Sequence, residues 1–116
     1  MTVLSAARIR ECSNNPEIWA NLPQTGEIRV ADLLMTHSPL LVLLALRAAD
    51  ADTYLRLPAF TADLWTAVGE QGDPPDFPGF GFREVWLFAF NRIGQRRLTE
   101  SALQDLIARH FAGEPT

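Results

Sequence analysis

Ser38-Pro39-Leu40-Leu41-Val42-Leu43-Leu44-Ala45-Leu46-Arg47 carries the strongest helix signal in the chain. Serine followed by proline is a helix start. The hydroxyl can accept a hydrogen bond from a first-turn N–H, and proline's fixed φ suits a position whose own N–H would have no partner. The residues from Leu40 to Leu46 are apolar on every side of a helix. Such a helix must be buried all round, so its N-terminal half is the expected centre of the core. It is also the longest apolar run in the chain, and it is far short of the about 20 residues that a bilayer span requires, so no membrane partner is expected. After Arg47 the pattern becomes amphipathic. Ala48, Ala51 and Leu55 share a face, Tyr54 and Leu57 lie beside it, and Pro58 is the expected stop.

On the C-terminal side, Thr61 reads as the cap of the next helix, with Phe60 and Trp65 spaced as a hydrophobic staple and Gly69 and Gly72 as its end. The segment Asp73 to Phe82 contains Pro74, Pro75 and Pro78 together with Phe77, Phe80 and Phe82, and it cannot be a helix interior. Residues 83–93 follow as a helix: Phe82, Val85, Trp86, Ala89, Phe90 and Ile93 recur at helical spacing, and Gly94 is the expected end. In the last helix Thr99 is the cap, Leu98 and Leu103 form a staple, and Leu103, Leu106, Ile107, His110 and Phe111 make one stripe before Gly113.

The N-terminal side is less regular. Residues 3–12 read as a short helix on Leu4, Ala7 and Ile9. Asn15-Pro16 starts a second, with Ile18, Trp19 and Leu22 on its apolar side and Pro23 ending it. Residues 27–36 allow two readings. Ile28 and Val30 alternate with charges as in a strand, whereas Val30, Leu33 and Leu34 fit a helix, and a helix from about Val30 is preferred. The sum is an all-α fold, a compact orthogonal bundle of five to six short helices with one Pro/Gly/Phe-rich loop, in a single domain over residues 1–116.

Composition bounds the function classes. The apolar fraction is 47%, the charged fraction 21% and the net charge −4, which describes a folded globule and disfavours nucleic acid as partner. All ten cations are arginine, through arginine codons of a GC-rich, bacterial type of genome or through selection for planar, bidentate contacts. Cys12 is the only cysteine, which precludes an intrachain disulfide and a cysteine-built zinc site and fits a reducing cytoplasm. Arg8, Arg10 and Glu11 interrupt the N-terminus, so no signal peptide is expected.

Signatures of catalysis are missing. Gly79-Phe80-Gly81 lacks the third glycine of a phosphate loop, and the neighbouring prolines remove backbone donors. Ser38, His37 and Asp32 are close in sequence, but neighbouring side chains diverge, and Ser38 is explained by capping. His110 on its apolar stripe reads as a partly buried histidine. No metal-ligand spacing occurs, and no cofactor is expected. Residues 83–112 resemble a helix-turn-helix only in outline. The connection is long for that motif, and Glu100 and Asp105 on the second helix would repel phosphate.

Two uneven distributions remain. Residues 50–76 carry six acids against Arg56, while residues 83–97 carry four arginines against Glu84. They form either two solvated faces or a complementary pair, within the fold or between copies. Most of the eleven aromatics lie between Phe60 and Phe90, more than one small core can use. The expectation is a non-enzymatic regulatory protein, an inhibitor or antiactivator that masks an interface of a larger protein such as a transcription regulator, itself a homodimer. Its partner-binding residues would be Phe77, Phe80, Phe82, Trp86, Phe88, Phe90, Arg92, Arg96 and Arg97. The alternatives are a carrier with an apolar cavity between helices, or a helix-turn-helix DNA binder.

Overall fold

The computed structural model describes residues 3–12, 16–20, 22, 26–74 and 80–112. The expected cap at Asn15, the stops at Pro23 and Gly113, and Phe77 lie outside the described residues. In order, the described elements are β1 (Val3–Ser5), α1 (Ala6–Glu11), a 3-10 turn (Pro16–Trp19), β2 (Glu27–Arg29), α2 (Val30–Thr36), α3 (Pro39–Ala45), a second 3-10 turn (Leu46–Ala48), α4 (Ala51–Tyr54), α5 (Leu57–Ala67), α6 (Phe82–Gly94) and α7 (Glu100–Phe111). Helix dominates, and the fold is a bundle of short helices carrying one small sheet.

The core is built around α3. Ser38 Oγ accepts from the Leu41 N–H, Pro39 occupies the first turn, and Val42, Leu43, Ala45 and Leu46 are buried. Leu40, Leu41 and Leu44 are partly buried, so the helix is covered on nearly every side. Its neighbours are α2, α6 and α7. Helix α7 follows the expected pattern closely. Thr99 Oγ1 accepts from the Ala102 N–H at 3.1 Å, and Leu98, Leu103, Leu106, Ile107 and Phe111 are all buried.

Three local readings need correction. First, residues 3–5 are a strand, and the helix begins only at Ala6, where Ser5 Oγ accepts from the Arg8 N–H. Strand β1 pairs antiparallel with β2, Val3 opposite Arg29 and Leu4 opposite Ile28. Both readings of 27–36 are therefore realised in succession: Ile28 lies in the strand, and the helix starts at Val30 with Val30, Leu33 and Leu34 inward.

Second, the helix from Pro39 does not run to Leu57. It tightens at Leu46–Ala48, Ala49 is extended, and Asp50 restarts the chain as a cap. The Asp50 carboxylate accepts from the Thr53 N–H at 3.0 Å and from the Thr53 hydroxyl at 2.9 Å. An aspartate side chain that captures these donors competes with continuation of the helix. These hydrogen bonds hold the Asp50 carboxyl below its usual range. Leu55, expected on a buried face, is 78% exposed as a consequence.

Third, Pro58 stands in the first turn of α5 and does not stop a helix, and Thr61 lies inside α5 and caps nothing. Proline is tolerated there because first-turn N–H groups have no intrahelical acceptor. Phe60 accordingly is not a staple. It points into the core, where its ring meets Phe111 at 5.1 Å and the edge of His110 at 5.7 Å.

Candidate interaction face on the aromatic helix

Helix α6 begins after Gly81, whose N–H donates to Glu84 Oε1 at 2.8 Å. Val85 and Ala89 point inward with Phe82, against α3. Its remaining aromatics diverge to two sides, and their surroundings separate structural residues from available ones.

On one side is a closed cluster. Phe88 stacks on Trp65 of α5 at 5.1 Å and 20°, and the Arg92 guanidinium lies 4.4 Å from the Phe88 ring centroid. Arg92 forms an ion pair with Glu70 at 2.6 Å, and Arg97 reaches the same carboxylate at 3.4 Å and the Val68 carbonyl at 3.1 Å. Two helix endings of the same type bring these groups together. At the end of α5 the Glu70 N–H donates to the Trp65 carbonyl, with Gly69 left-handed at φ +77°. At the end of α6 the Arg97 N–H donates to the Arg92 carbonyl, with Arg96 left-handed at φ +62°. Each is a Schellman closure, and the residue just beyond each left-handed position, Glu70 or Arg97, enters the ion pair. The contrast between the acidic and basic segments is thus partly satisfied within the fold.

Three stability predictions are made. Glu70→Ala leaves the mostly covered Arg92 without its anion and is expected to lower the unfolding free energy by about 1–2 kcal/mol. Arg29→Ala, which breaks a pair whose side chains are 53% and 51% exposed, is expected to change it by less than about 0.5 kcal/mol. Chemical denaturation of the two variants in parallel checks the contrast. Arg96 occupies a backbone region that costs a non-glycine residue roughly 1 kcal/mol, so Arg96→Gly is expected to raise stability by up to about that amount. A fall in thermal midpoint for Arg96→Gly would contradict this.

On the other side of α6 is an open face. Trp86 and Phe90, one turn apart, stack at 5.3 Å and 19°. Phe90 is 52% exposed and Leu87 43% exposed, while Trp86 is half-buried. The Trp86 indole N–H is buried with no acceptor among the described residues. Arg83, one turn before Leu87, and Arg96, just past the helix, are exposed.

The expected partner-binding residues therefore separate. Phe82 is a core residue, 1% exposed, its ring 4.9 Å from Tyr54 and 5.5 Å from Phe111; it is unavailable to a partner. Phe80 is partly buried against the core. Phe88, Arg92 and Arg97 belong to the closed cluster with Trp65 and Glu70. Among the described candidates outside that cluster, Phe90 and Arg96 are exposed and Trp86, partly buried against the core like Phe80 and Phe88, stacks on Phe90, with the exposed Leu87 and Arg83 beside them. Their signal was the i, i+3, i+4 spacing of Arg83, Trp86 and Leu87 with Phe90 a further turn along. Arg92 and Arg97, two cations that a DNA-binding reading requires, already serve Glu70.

Elsewhere, His110 Nε2 lies 2.6 Å from Asp63 Oδ2, joining α7 to α5, with Arg109 3.8 Å from the same oxygen. Among the described residues no His, Cys, Asp and Glu side chains group closely enough to hold a metal ion. No described helix is long and apolar enough to cross a membrane. Comparison with protein-family models, with curated proteins and with solved structures finds no match for this chain.

Proposed function

We propose that the protein is a non-enzymatic interaction module that binds another protein through the outer face of α6 and inhibits that partner by covering one of its interfaces. The observation that supports this reading is the half-exposed Phe90, stacked on the partly buried Trp86 with the exposed Leu87 beside it, on a helix whose Phe82 lies in the core and whose Phe88 stacks on Trp65. Aromatic side chains supply much binding area at small entropic cost, and they recur among the residues that dominate interface energies. The exposed Arg83 and Arg96 favour a partner that offers an apolar groove with carboxylates on its rim.

The test is quantitative capture from a lysate of the source cells with wild-type protein and with Phe90→Asp as bait. A partner retained by wild type and lost with a folded Phe90→Asp supports the reading. Identical capture by both would contradict it. A second copy of the chain is the other occupant the face could take. Light scattering across a concentration series distinguishes it: a homodimer shows a doubled mass that reverts to that of the monomer in Phe90→Asp.

A further inference from the structure

We propose that the cavity between α4 and the first half of α5 is a binding site for a small ammonium compound with a flat apolar body. The site is separate from the α6 face and does not depend on it. The cavity holds about 530 Å³ and is lined by Tyr54, Leu57, Pro58, Thr61, Asp73, Pro74 and Phe80. That volume lies within the roughly 300–1,000 Å³ typical of small-molecule sites.

Three features of the lining select the ligand. The first is Thr61. A helical threonine hydroxyl commonly donates back to a carbonyl one turn earlier, as Thr66 does to Ala62 at 3.1 Å. Thr61 is 5% exposed, yet its hydroxyl has no partner among the described residues. A buried hydroxyl without a partner is unfavourable, and a polar group on a ligand would relieve it. The second is Asp73. Its carboxylate is exposed at the cavity and, among the described residues, forms no ion pair and is the only charged group in the lining. A cation is the complementary ligand charge.

The third is the aromatic wall. Tyr54 donates its hydroxyl to the Arg47 carbonyl at 3.2 Å and sets its ring edgewise to Phe82 at 4.9 Å, so its position is fixed from two directions. Phe80 stands in the lining with it. Aromatic rings beside a carboxylate recognise an ammonium group through its charge and through the ring quadrupole. Leu57 and Pro58 supply apolar contact for the rest of the ligand. The matching molecule carries an ammonium for Asp73, a flat apolar body for the rings, and a hydroxyl or similar group for Thr61.

The full chain, isotope-labelled, is titrated with tyramine as the probe, with phenethylamine and 4-hydroxyphenylacetate as comparisons. Backbone amide shifts report the location and the affinity. Tyramine is expected to perturb residues of α4, the start of α5 and Asp73, with 4-hydroxyphenylacetate at least about tenfold weaker. Asp73→Asn is expected to weaken tyramine by about tenfold or more. Thr61→Val is expected to abolish the preference for tyramine over phenethylamine while leaving the protein folded, because it removes an unpaired buried hydroxyl at nearly constant shape. Phe90→Asp is expected to bind tyramine as wild type does. Equal binding of the anion and the cation, insensitivity to Asp73→Asn, or no perturbation at millimolar tyramine would each overturn the proposal.

Discussion

Phe111→Ala is expected to lower the unfolding free energy by about 3–5 kcal/mol. Phe111 is fully buried in the last turn of α7. Its ring stands 5.1 Å from Phe60 of α5 and 5.5 Å from Phe82 of α6, so one side chain joins three helices. Truncation removes its own transfer free energy and leaves a cavity lined by two rings that are themselves held by backbone far apart in sequence. Such a cavity collapses poorly, which places the loss toward the upper part of the usual range. Small domains have roughly 5–15 kcal/mol of total stability, so this single change removes a large share. Urea denaturation followed by far-UV circular dichroism measures it. A loss below about 1.5 kcal/mol would show that the aromatic junction is not central to the core.

Phe90→Ala is expected to separate binding from stability. Phe90 is half-exposed and its main ring contact is Trp86 on the same helix, so truncation is expected to change the unfolding free energy by less than about 1 kcal/mol. At the centre of an interface the same truncation is expected to weaken the partner complex by about 2–4 kcal/mol, roughly thirtyfold to a thousandfold in Kd. Phe88→Ala is the matched control. It lies on the same helix, but it is packed between Trp65 and Arg92, so it is expected to lower stability and leave the partner affinity within about threefold once the protein is folded. Calorimetric titration of both variants into the captured partner, beside their denaturation curves, checks the pair. Equal losses of affinity for the two would place the interface elsewhere.

Legibility in the sequence followed the range of the interactions concerned. Helix α7 and the start of α3 were readable because every signal is local: a hydroxyl cap, a proline or a staple, then an apolar stripe within a few residues. Strand β1 was not, since three residues of strand carry almost no pattern and their pairing partner, Glu27–Arg29, is distant in the chain. The break at Asp50 and the start at Leu57 were misread for a related reason. Asp50, Pro58 and Thr61 each suit more than one position at a helix end, and only packing selects one. At the candidate site, the recurrence of Phe82, Val85, Trp86, Ala89, Phe90 and Ile93 at helical spacing marked α6 as an apolar helix. It could not show which side would be covered. That depended on Trp65 and Glu70, which α5 and its left-handed ending at Gly69 bring alongside Phe88 and Arg92. The cavity beside Thr61 had no sequence signal, because its lining comes from residues whose own patterns suggested caps, a stop and a loop.

The most direct test of the interaction face is photo-crosslinking in the source cells, with a photoreactive phenylalanine analogue in place of Phe90 on α6 or, as control, in place of the exposed Gln104 on α7. A discrete crosslinked species that contains a second protein is expected from position 90, and none of that mass from position 104. No crosslink at position 90, or the same species from both positions, would contradict it.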